Sequence, residues 1–117
     1  MLIFAYGTLR IGESNAQTLT GAQWRGACRL PTGYRLFDLG DYPAAVEDSA
    51  GTGLSGEVYA ITSAHLVALD ILEAYPDEYD RVPVMTPWGE AWIYLYNGSL
   101  IGAPLIESGD WCQRARQ

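Results

Sequence analysis

Few side chains in this chain of 117 residues have the chemistry of a catalyst, and their types limit what that chemistry is. His65 is the single histidine, and a lone histidine without a second ligand does not form a metal site or a serine-type triad. The chain has no lysine, and therefore no G-x-x-x-x-G-K-[ST] loop, and we expect no phosphate-cradling nucleotide site. Any acid–base chemistry falls to a carboxylate, and the sequence predicts no metal and no cofactor.

Glu73 is the carboxylate whose position is unusual for a charged residue. If residues 62–75 form a helix, Glu73 lies within roughly 20 and 40 degrees of Leu66 and Leu69, on the apolar stripe. Asp70 flanks the same stripe on its other side. Burial there would raise the pKa of Glu73 toward the range in which a general base works. The alternative is a glutamate at the helix end that extends to solvent or pairs with Arg81.

A second candidate is the turn after the first apolar segment, Tyr6-Gly7-Thr8-Leu9. A turn of this kind presents successive backbone N–H groups, and Gly7 would let a ligand approach the main chain or take conformations that other residues avoid. Thr8 adds a hydroxyl and Tyr6 adds a phenol to an otherwise apolar surrounding. Such a turn suits a carboxylate ligand, although a plain strand-terminating turn would have the same residues.

These candidates must be positioned by short strands and one helix. The helix is predicted over 62–75, TSAHLVALDILEAY, with Thr62 or Ser63 as its cap and Pro76 as its stop. Two further segments, YDRVPVMT and EAWIYLYN, flank Pro87-Trp88-Gly89 and predict a hairpin. We therefore expect an α+β fold, a small mixed β-barrel of about six strands with one main helix, in a single domain over 1–117. The other strands are predicted at LIFAY, QWRGACRL, GYRLFDL and LSGEVYAI.

The charge and hydropathy of the chain argue against two classes of partner, nucleic acids and membranes. Fourteen acidic against seven basic residues give a net charge of −7, and the scattered Arg114 and Arg116 do not form a basic patch. A phosphate backbone would be repelled, so we expect no nucleic-acid partner. No apolar run approaches the length of a membrane span or a signal segment, which predicts no membrane partner and favours the cytoplasm. The sequence is silent on oligomeric state.

Two aromatic groups are predicted to pack rather than to bind. Trp111 belongs to the segment LIESGDW near the C-terminus, which we expect to fold back over the body of the protein. Trp92, Tyr94 and Tyr96 alternate along one strand and therefore share one face, which is typical of a core.

Four segments together resemble the γ-glutamylcyclotransferase-like family, especially its small bacterial YtfP-type members and the γ-glutamylamine cyclotransferases. They are FAYGTLR, GEVYAI, LDILEAYPDEYDR and LIESGDW, and the similarity spans nearly the whole chain. The resemblance implies that Tyr6, Gly7, Thr8 and Leu9 form a substrate-binding loop and that Glu73 is the catalytic acid–base. It also matches Tyr79 and Arg81 to the Y-x-R that follows the glutamate, which implies that they contact substrate. One departure is Ala74, where many members have glycine.

The resemblance further implies a reaction that needs no cofactor. In a γ-glutamyl amine or peptide the α-amino group attacks the γ-carbonyl, giving 5-oxoproline and a free amine, with Glu73 moving the proton. The amine attached to the γ-glutamyl group is not specified, because its pocket would be built from loops such as LGDYPAAV (39–46). The alternative is a non-catalytic module that uses the same cavity to bind a small metabolite or a partner.

Overall fold

Six strands and one helix form the fold, in a computed structural model that describes residues 1–113. Two single-turn 3-10 helices lie at Ala16–Leu19 and Trp111–Gln113, and Arg114 and Arg116 lie outside the described residues. The elements are β1 Leu2–Ala5, β2 Gln23–Asp38, β3 Pro43–Glu47, β4 Thr52–Ala60, α1 Ser63–Leu72, β5 Tyr79–Thr86 and β6 Gly89–Tyr96.

The strands form one mixed sheet in the order β3-β2-β4-β1-β6-β5. The pairing of β1 with β6 is parallel, and the other four pairings are antiparallel. The sheet curls into a half-barrel, which confirms the predicted α+β class with about six strands and one helix. The β5–β6 hairpin is also confirmed, with Pro87 and Trp88 between the paired residues Thr86 and Gly89.

The division into strands differs from the prediction at β2 and β3. Segments 23–30 and 33–39 form one long strand, because the residues between them produce a register shift between Leu30 and Tyr34 rather than a reversal of the chain. The stretch 39–46, which was predicted as a loop, contains the start of β3. Pro43, Ala44 and Ala45 are buried there, and small residues hide the alternating pattern by which a strand is normally detected.

Side chains are buried on both faces of β1, the middle of the sheet. Phe4 points to a core with Leu36, Leu54, Ile93 and other residues that the curled sheet encloses. Ile3 and Ala5 belong to a second cluster that includes Leu69 of α1. Tyr94 belongs to this second cluster with Trp92 and Tyr96 packed against it, as expected for a core face. Because both faces are covered, β1 and the turn that follows it are held firmly.

Helix α1 begins and ends at defined caps. Thr62 is the N-cap, as predicted, and its hydroxyl accepts the His65 N–H while the His65 ring bonds back to the Thr62 N–H. The helix ends at Leu72, before Pro76, because the chain turns at Ala74 with φ of +50°. The N–H groups of Ala74 and Tyr75 bond to the carbonyls of Ile71 and Asp70, the pattern of a Schellman turn. Glycine favours this left-handed position, and Ala74 occupies it at some cost in free energy.

Phenol hydroxyls connect the two edge strands of the sheet. The Tyr79 hydroxyl at the start of β5 donates to the carbonyl of Pro43 at the start of β3, at 2.6 Å. The Tyr6 hydroxyl donates to the Tyr94 carbonyl of β6 at 2.6 Å and accepts a longer bond, 3.4 Å, from the Ala45 N–H of β3. β3 and β5 are at opposite ends of the strand order, so these bonds fix the curl of the sheet.

The C-terminal segment folds back, as predicted. Trp111 is 1% exposed, and the Ile106 N–H donates to the Leu36 carbonyl at the end of β2. Arg10 and Asp110 form an ion pair at 2.6 Å, which connects this segment to the residues after β1.

Gly51–Gly56, G-T-G-L-S-G, has the spacing of a dinucleotide-binding fingerprint but not its structural setting. Thr52–Ala60 is strand β4, and no helix follows a glycine turn there. A Cβ on Gly56 would lie 2.5 Å from the Phe4 ring and 2.6 Å from the Ala5 carbonyl oxygen. This glycine therefore allows β4 and β1 to pack closely and does not indicate a nucleotide site.

Residues 1–113 contain neither a membrane-crossing helix nor a metal-binding cluster. No helix there has the length and apolar character needed to cross a membrane. Within the same residues no cluster of three or more His, Cys, Asp or Glu side chains is arranged to hold a metal ion.

Tyr79→Phe should lower the free energy of unfolding, because it leaves the buried Pro43 carbonyl without its partner. The expected loss is about 1–3 kcal/mol, the cost of an unsatisfied buried polar group. Tyr34→Phe is the matched control, since the Tyr34 hydroxyl makes no hydrogen bond with residues 1–113. Chemical denaturation of both variants measures the difference, and equal stabilities would show that the hydroxyl bond does not hold the two edge strands.

Candidate active site

Glu73 lies at the C-cap of α1, where it borders two adjoining cavities. The inner one has a volume of about 30 Å³, and the outer cleft has about 210 Å³. Glu73, Thr8, Tyr42 and Tyr79 border both. The inner cavity is otherwise lined by Phe4, Ala5, Tyr6, Gly7, Leu9, Pro43 and Tyr94, and the outer one by Asn15, Leu72 and Glu78.

All four tyrosines at the inner cavity donate their phenol protons to groups other than Glu73. Tyr6 donates to the Tyr94 carbonyl, Tyr79 to the Pro43 carbonyl, and Tyr94 to Asp70 at 2.7 Å. The fourth, Tyr42, donates to Glu78 at 2.8 Å. Among residues 1–113 no side chain hydrogen-bonds the Glu73 carboxylate. Glu73 is therefore free to exchange a proton with a ligand in this cavity.

Burial raises the pKa of Glu73 to about 7, and the negative charge of Glu78 adds to the effect. The raised pKa expected from the sequence is thus confirmed, but its surroundings differ from those predicted. Leu69 is fully buried, whereas Leu72 is 41% exposed, so the leucine stripe covers only part of the side chain. The tyrosine-lined cavity supplies the rest of the apolar environment. A carboxyl with this pKa is divided between its two protonation states near neutral pH, as a general acid–base requires.

The predicted loop borders the inner cavity with all four of its residues, Tyr6 to Leu9. The Arg10 N–H donates to the Gly7 carbonyl at 3.0 Å, closing a turn over Thr8 and Leu9. Within residues 1–113 the N–H groups of Gly7, Thr8 and Leu9 make no backbone hydrogen bond outside the strands. The Thr8 hydroxyl accepts the Asn15 side-chain amide at 2.9 Å and so keeps its own proton to donate. The loop therefore offers several donors to an anion.

Two loop residues act differently from the prediction. A Cβ on Gly7 would lie 2.5 Å from the Pro43 ring, so glycine is required there for packing against β3 rather than for a special backbone conformation. The Tyr6 hydroxyl was expected to face the ligand, but its proton is donated to Tyr94. Tyr6 therefore supplies cavity wall and structural support.

A buried charged network anchors the loop from behind. Glu57, only 7% exposed, accepts Arg10 Nε at 3.1 Å, the Ile11 N–H at 2.9 Å and the Tyr59 hydroxyl at 2.8 Å. Arg10 also bonds Asp110 of the C-terminal segment at 2.6 Å. These contacts hold the Arg10 side chain and the Ile11 N–H, which belong to the two residues after Leu9. They therefore fix the position of the loop N–H groups. Periodicity in the sequence gave no sign of this network.

Arg81 is separate from the cavity. Its guanidinium pairs with Asp70 at 2.9 Å and lies 4.5 Å from the ring centroids of Tyr75 and Trp92. The ion pair between Glu73 and Arg81, considered as the alternative for Glu73, is therefore wrong. The predicted contact of Arg81 with substrate has no counterpart here, because Arg81 borders neither cavity. Tyr79, the other residue of the pair, borders both.

Sequence reasoning missed three titratable residues that border the cavities, Tyr42, Tyr94 and Glu78. Tyr42 lies in the predicted leaving-group loop, 39–46, but nothing singled it out. Tyr94 was assigned to the core by alternation, and its ring does belong there while also lining the cavity. Glu78 follows the helix at no recognisable spacing. The hydrogen bond to Glu78 raises the pKa of Tyr42 to about 12.

The chain is similar to known proteins both in sequence and in fold. A family model described as "Gamma-glutamyl cyclotransferase, AIG2-like" matches residues 3–113. The Escherichia coli protein named gamma-glutamylcyclotransferase family protein YtfP is 45% identical over 97% of this chain and 98% of its own. Its solution structure has a TM-score of 0.79 over 97% of this chain and 98% of its own. The crystal structure of an AIG2-like protein from Mus musculus, 25% identical, has a TM-score of 0.76 over 91% of this chain and 85% of its own.

The pKa of Glu73 predicts how stability depends on pH. Because its pKa is about 7 in the folded protein against an ordinary 4.5, the folded state binds the proton more tightly than the unfolded state. The contribution to stability is therefore fully present below pH 4.5 and is lost as pH rises to about 7. Glu73→Gln removes this dependence, so it should gain stability relative to the native protein by up to about 3 kcal/mol across that interval.

Denaturation curves at several pH values between 4 and 8 would measure this gain. Glu90→Gln is the control, since Glu90 is exposed and borders neither cavity of the site. A constant difference between Glu73→Gln and the native protein over the whole range would contradict the raised pKa.

Proposed function

Because the chain belongs to the gamma-glutamyl cyclotransferase, AIG2-like family, we propose that it is a cofactor-independent cyclotransferase that converts a γ-glutamyl amine or peptide into 5-oxoproline and a free amine. Glu73 is the catalytic acid–base, and the loop from Tyr6 to Leu9 binds the glutamyl group. The observation that carries the proposal is the position of Glu73, a carboxyl with a pKa of about 7 opposite a turn with unpaired N–H groups.

The substrate of this reaction carries its own nucleophile, so the protein has little covalent chemistry to perform. The α-amino nitrogen attacks the γ-carbonyl carbon within the same molecule, closing a five-membered ring. The bond from that carbon to the departing nitrogen then breaks. Holding the glutamyl chain folded supplies much of the acceleration, since the two reacting atoms meet without an entropy cost in the transition state.

Glu73 would move the protons that this sequence requires. As the carboxylate it takes a proton from the α-ammonium group, which makes the nitrogen nucleophilic. As the acid it delivers a proton to the departing nitrogen when the carbon–nitrogen bond breaks. At neutral pH the α-nitrogen loses two protons in all and the amine gains two, so Glu73 ends in the state in which it began.

The loop would hold the negative charges of the substrate. The N–H groups of Gly7, Thr8 and Leu9 and the Thr8 hydroxyl are suited to the α-carboxylate and to the oxyanion that develops on the γ-carbonyl. The outer cleft, which begins at Glu73 and continues to Asn15 and Glu78, would receive the leaving amine. Tyr79 would separate the two regions as a wall that borders both.

5-Oxoproline should bind to the loop, because this product keeps the carboxylate and the ring carbonyl that the loop is proposed to hold. Titration with 5-oxoproline should shift the amide resonances of Gly7, Thr8 and Leu9 more than those of other residues. The control signals are the amides near Trp111, which borders neither the inner cavity nor the outer cleft. If the largest shifts occurred near Trp111 and the loop resonances stayed in place, the loop would not be the substrate site.

Glu73→Gln should lower turnover by roughly two to four orders of magnitude, because glutamine keeps the size of the side chain but cannot take a proton. Incubation with a panel of γ-glutamyl amines and dipeptides, followed by mass spectrometry for 5-oxoproline, measures it. Glu90→Gln, which removes a charge from an exposed residue away from the site, should retain full turnover. Undiminished turnover in Glu73→Gln would overturn the catalytic role.

The same panel separates the enzyme from the alternative, a non-catalytic binding module. A native protein that binds 5-oxoproline at the loop but produces none from any γ-glutamyl compound would be such a module. Its Glu73→Gln variant would then change ligand binding only.

A further inference from the structure

The inner cavity is too small for the ligand that the proposed function requires. Its volume of about 30 Å³ has room for about two water molecules. A γ-glutamyl group carries a carboxylate, an ammonium group and a carbonyl on a three-carbon chain, and it is several times larger. Part of the cavity wall must therefore move before the glutamyl group can reach the N–H groups of Gly7 and Leu9, which border the inner cavity but not the outer cleft.

Most of the wall is unable to move without disturbing the core. Thr8, Tyr79 and Tyr94 are 9%, 3% and 3% exposed, and the two tyrosines are further fixed by their phenol hydrogen bonds. Pro43 is buried against Gly7. Among the described residues that border both cavities, Tyr42 is the large side chain with substantial exposure, at 38%.

Tyr42 also lies in an exposed turn. It is in the turn between β2 and β3, where Gly40 has φ of +99° and the Leu39 N–H bonds to the Tyr42 carbonyl at 3.1 Å. The ring of Tyr42 is 6.4 Å from the ring of Tyr79, centroid to centroid. Its hydroxyl is held by Glu78, which lies across the outer cleft between α1 and β5.

We propose that Tyr42 is the movable wall of the inner cavity and that Glu78 is a positioning residue, whose bond to the Tyr42 hydroxyl keeps the cavity closed and must break when a glutamyl group enters. Glu78 itself is held by its backbone, since its N–H bonds to Ala74 and its carbonyl accepts the Asn97 N–H, both at 2.9 Å. Its backbone is therefore fixed independently of Tyr42. This inference rests on the proposed function for the identity of the ligand, although the motion of Tyr42 is measurable without any ligand.

Amide hydrogen exchange at the loop tests the closure directly. The N–H groups of Gly7, Thr8 and Leu9 have no backbone partner in residues 1–113, so access of water to the cavity limits their exchange. Tyr42→Phe keeps the ring and removes the bond, and it should accelerate exchange at these three amides about three- to tenfold at constant pH. Glu78→Gln removes the charge from the other side of the same bond and should accelerate exchange in the same direction.

Matched controls are Tyr34→Phe and Glu90→Gln, which make the same chemical changes away from the cleft and should leave the three rates as they are. Amides within β1 and β4 report whether any variant loosens the fold as a whole. Acceleration at the loop alone supports the proposal. Loop rates in both Tyr42→Phe and Glu78→Gln that equal those of the native protein would overturn it.

A kinetic measurement distinguishes this closure from a purely structural contact. A closed cavity weakens apparent binding by the fraction of molecules that are open, so Tyr42→Phe should lower KM about three- to tenfold and leave kcat within about twofold. A KM that is unchanged or raised would overturn the proposal. If the native protein and all variants produce no 5-oxoproline, the proposed function fails, while the exchange rates still decide whether Tyr42 closes the cavity.

Discussion

The closure of the sheet by phenol hydroxyls is the constraint on which the rest of the structure depends. Tyr79 connects β5 to β3, and Tyr6 connects β6 to β3, so the two ends of the strand order are brought together. These bonds satisfy the Tyr94 and Pro43 carbonyls and the Ala45 N–H, backbone groups that would otherwise be costly to bury. The same closure encloses the inner cavity, because Tyr6, Tyr79 and Pro43 are its walls. The tyrosine hydrogen bonds that close the sheet therefore also form the cavity.

This use of the phenols also explains the state of Glu73. A carboxylate among tyrosines would ordinarily accept hydrogen bonds from their hydroxyls, and its pKa would stay low. Here the Tyr6 and Tyr79 hydroxyls donate to backbone carbonyls, and the Tyr94 hydroxyl donates to Asp70. Glu73 is therefore surrounded by rings, but its carboxylate receives no hydrogen bond from residues 1–113. Desolvation then dominates its titration. Asp70 also pairs with Arg81. Because Asp70 accepts the hydrogen bond from the Tyr94 hydroxyl, that hydroxyl does not donate to Glu73.

Two anchors outside the cavity set the geometry between Glu73 and the loop. The Schellman turn with Ala74 in a left-handed conformation places Glu73 at the end of α1 rather than within it. The buried Glu57–Arg10–Asp110 network holds the chain beyond Leu9 and connects it to the C-terminal segment. A segment distant in sequence therefore contributes to a site that it does not border.

The sequence by itself determined the features that depend on local pattern. Helix α1 with its Thr62 cap, the β5–β6 hairpin, the burial of Trp111 and the family followed from spacing, turn residues and motif resemblance. Tertiary structure alone decided which groups pair. Strand β3 has too few large side chains to be detected from its sequence pattern. Arg81 forms its ion pair with Asp70 rather than with Glu73. Gly7 must be glycine because the Pro43 ring packs directly against it. Such pairings depend on distances between residues far apart in the chain, and the curl of the sheet sets those distances.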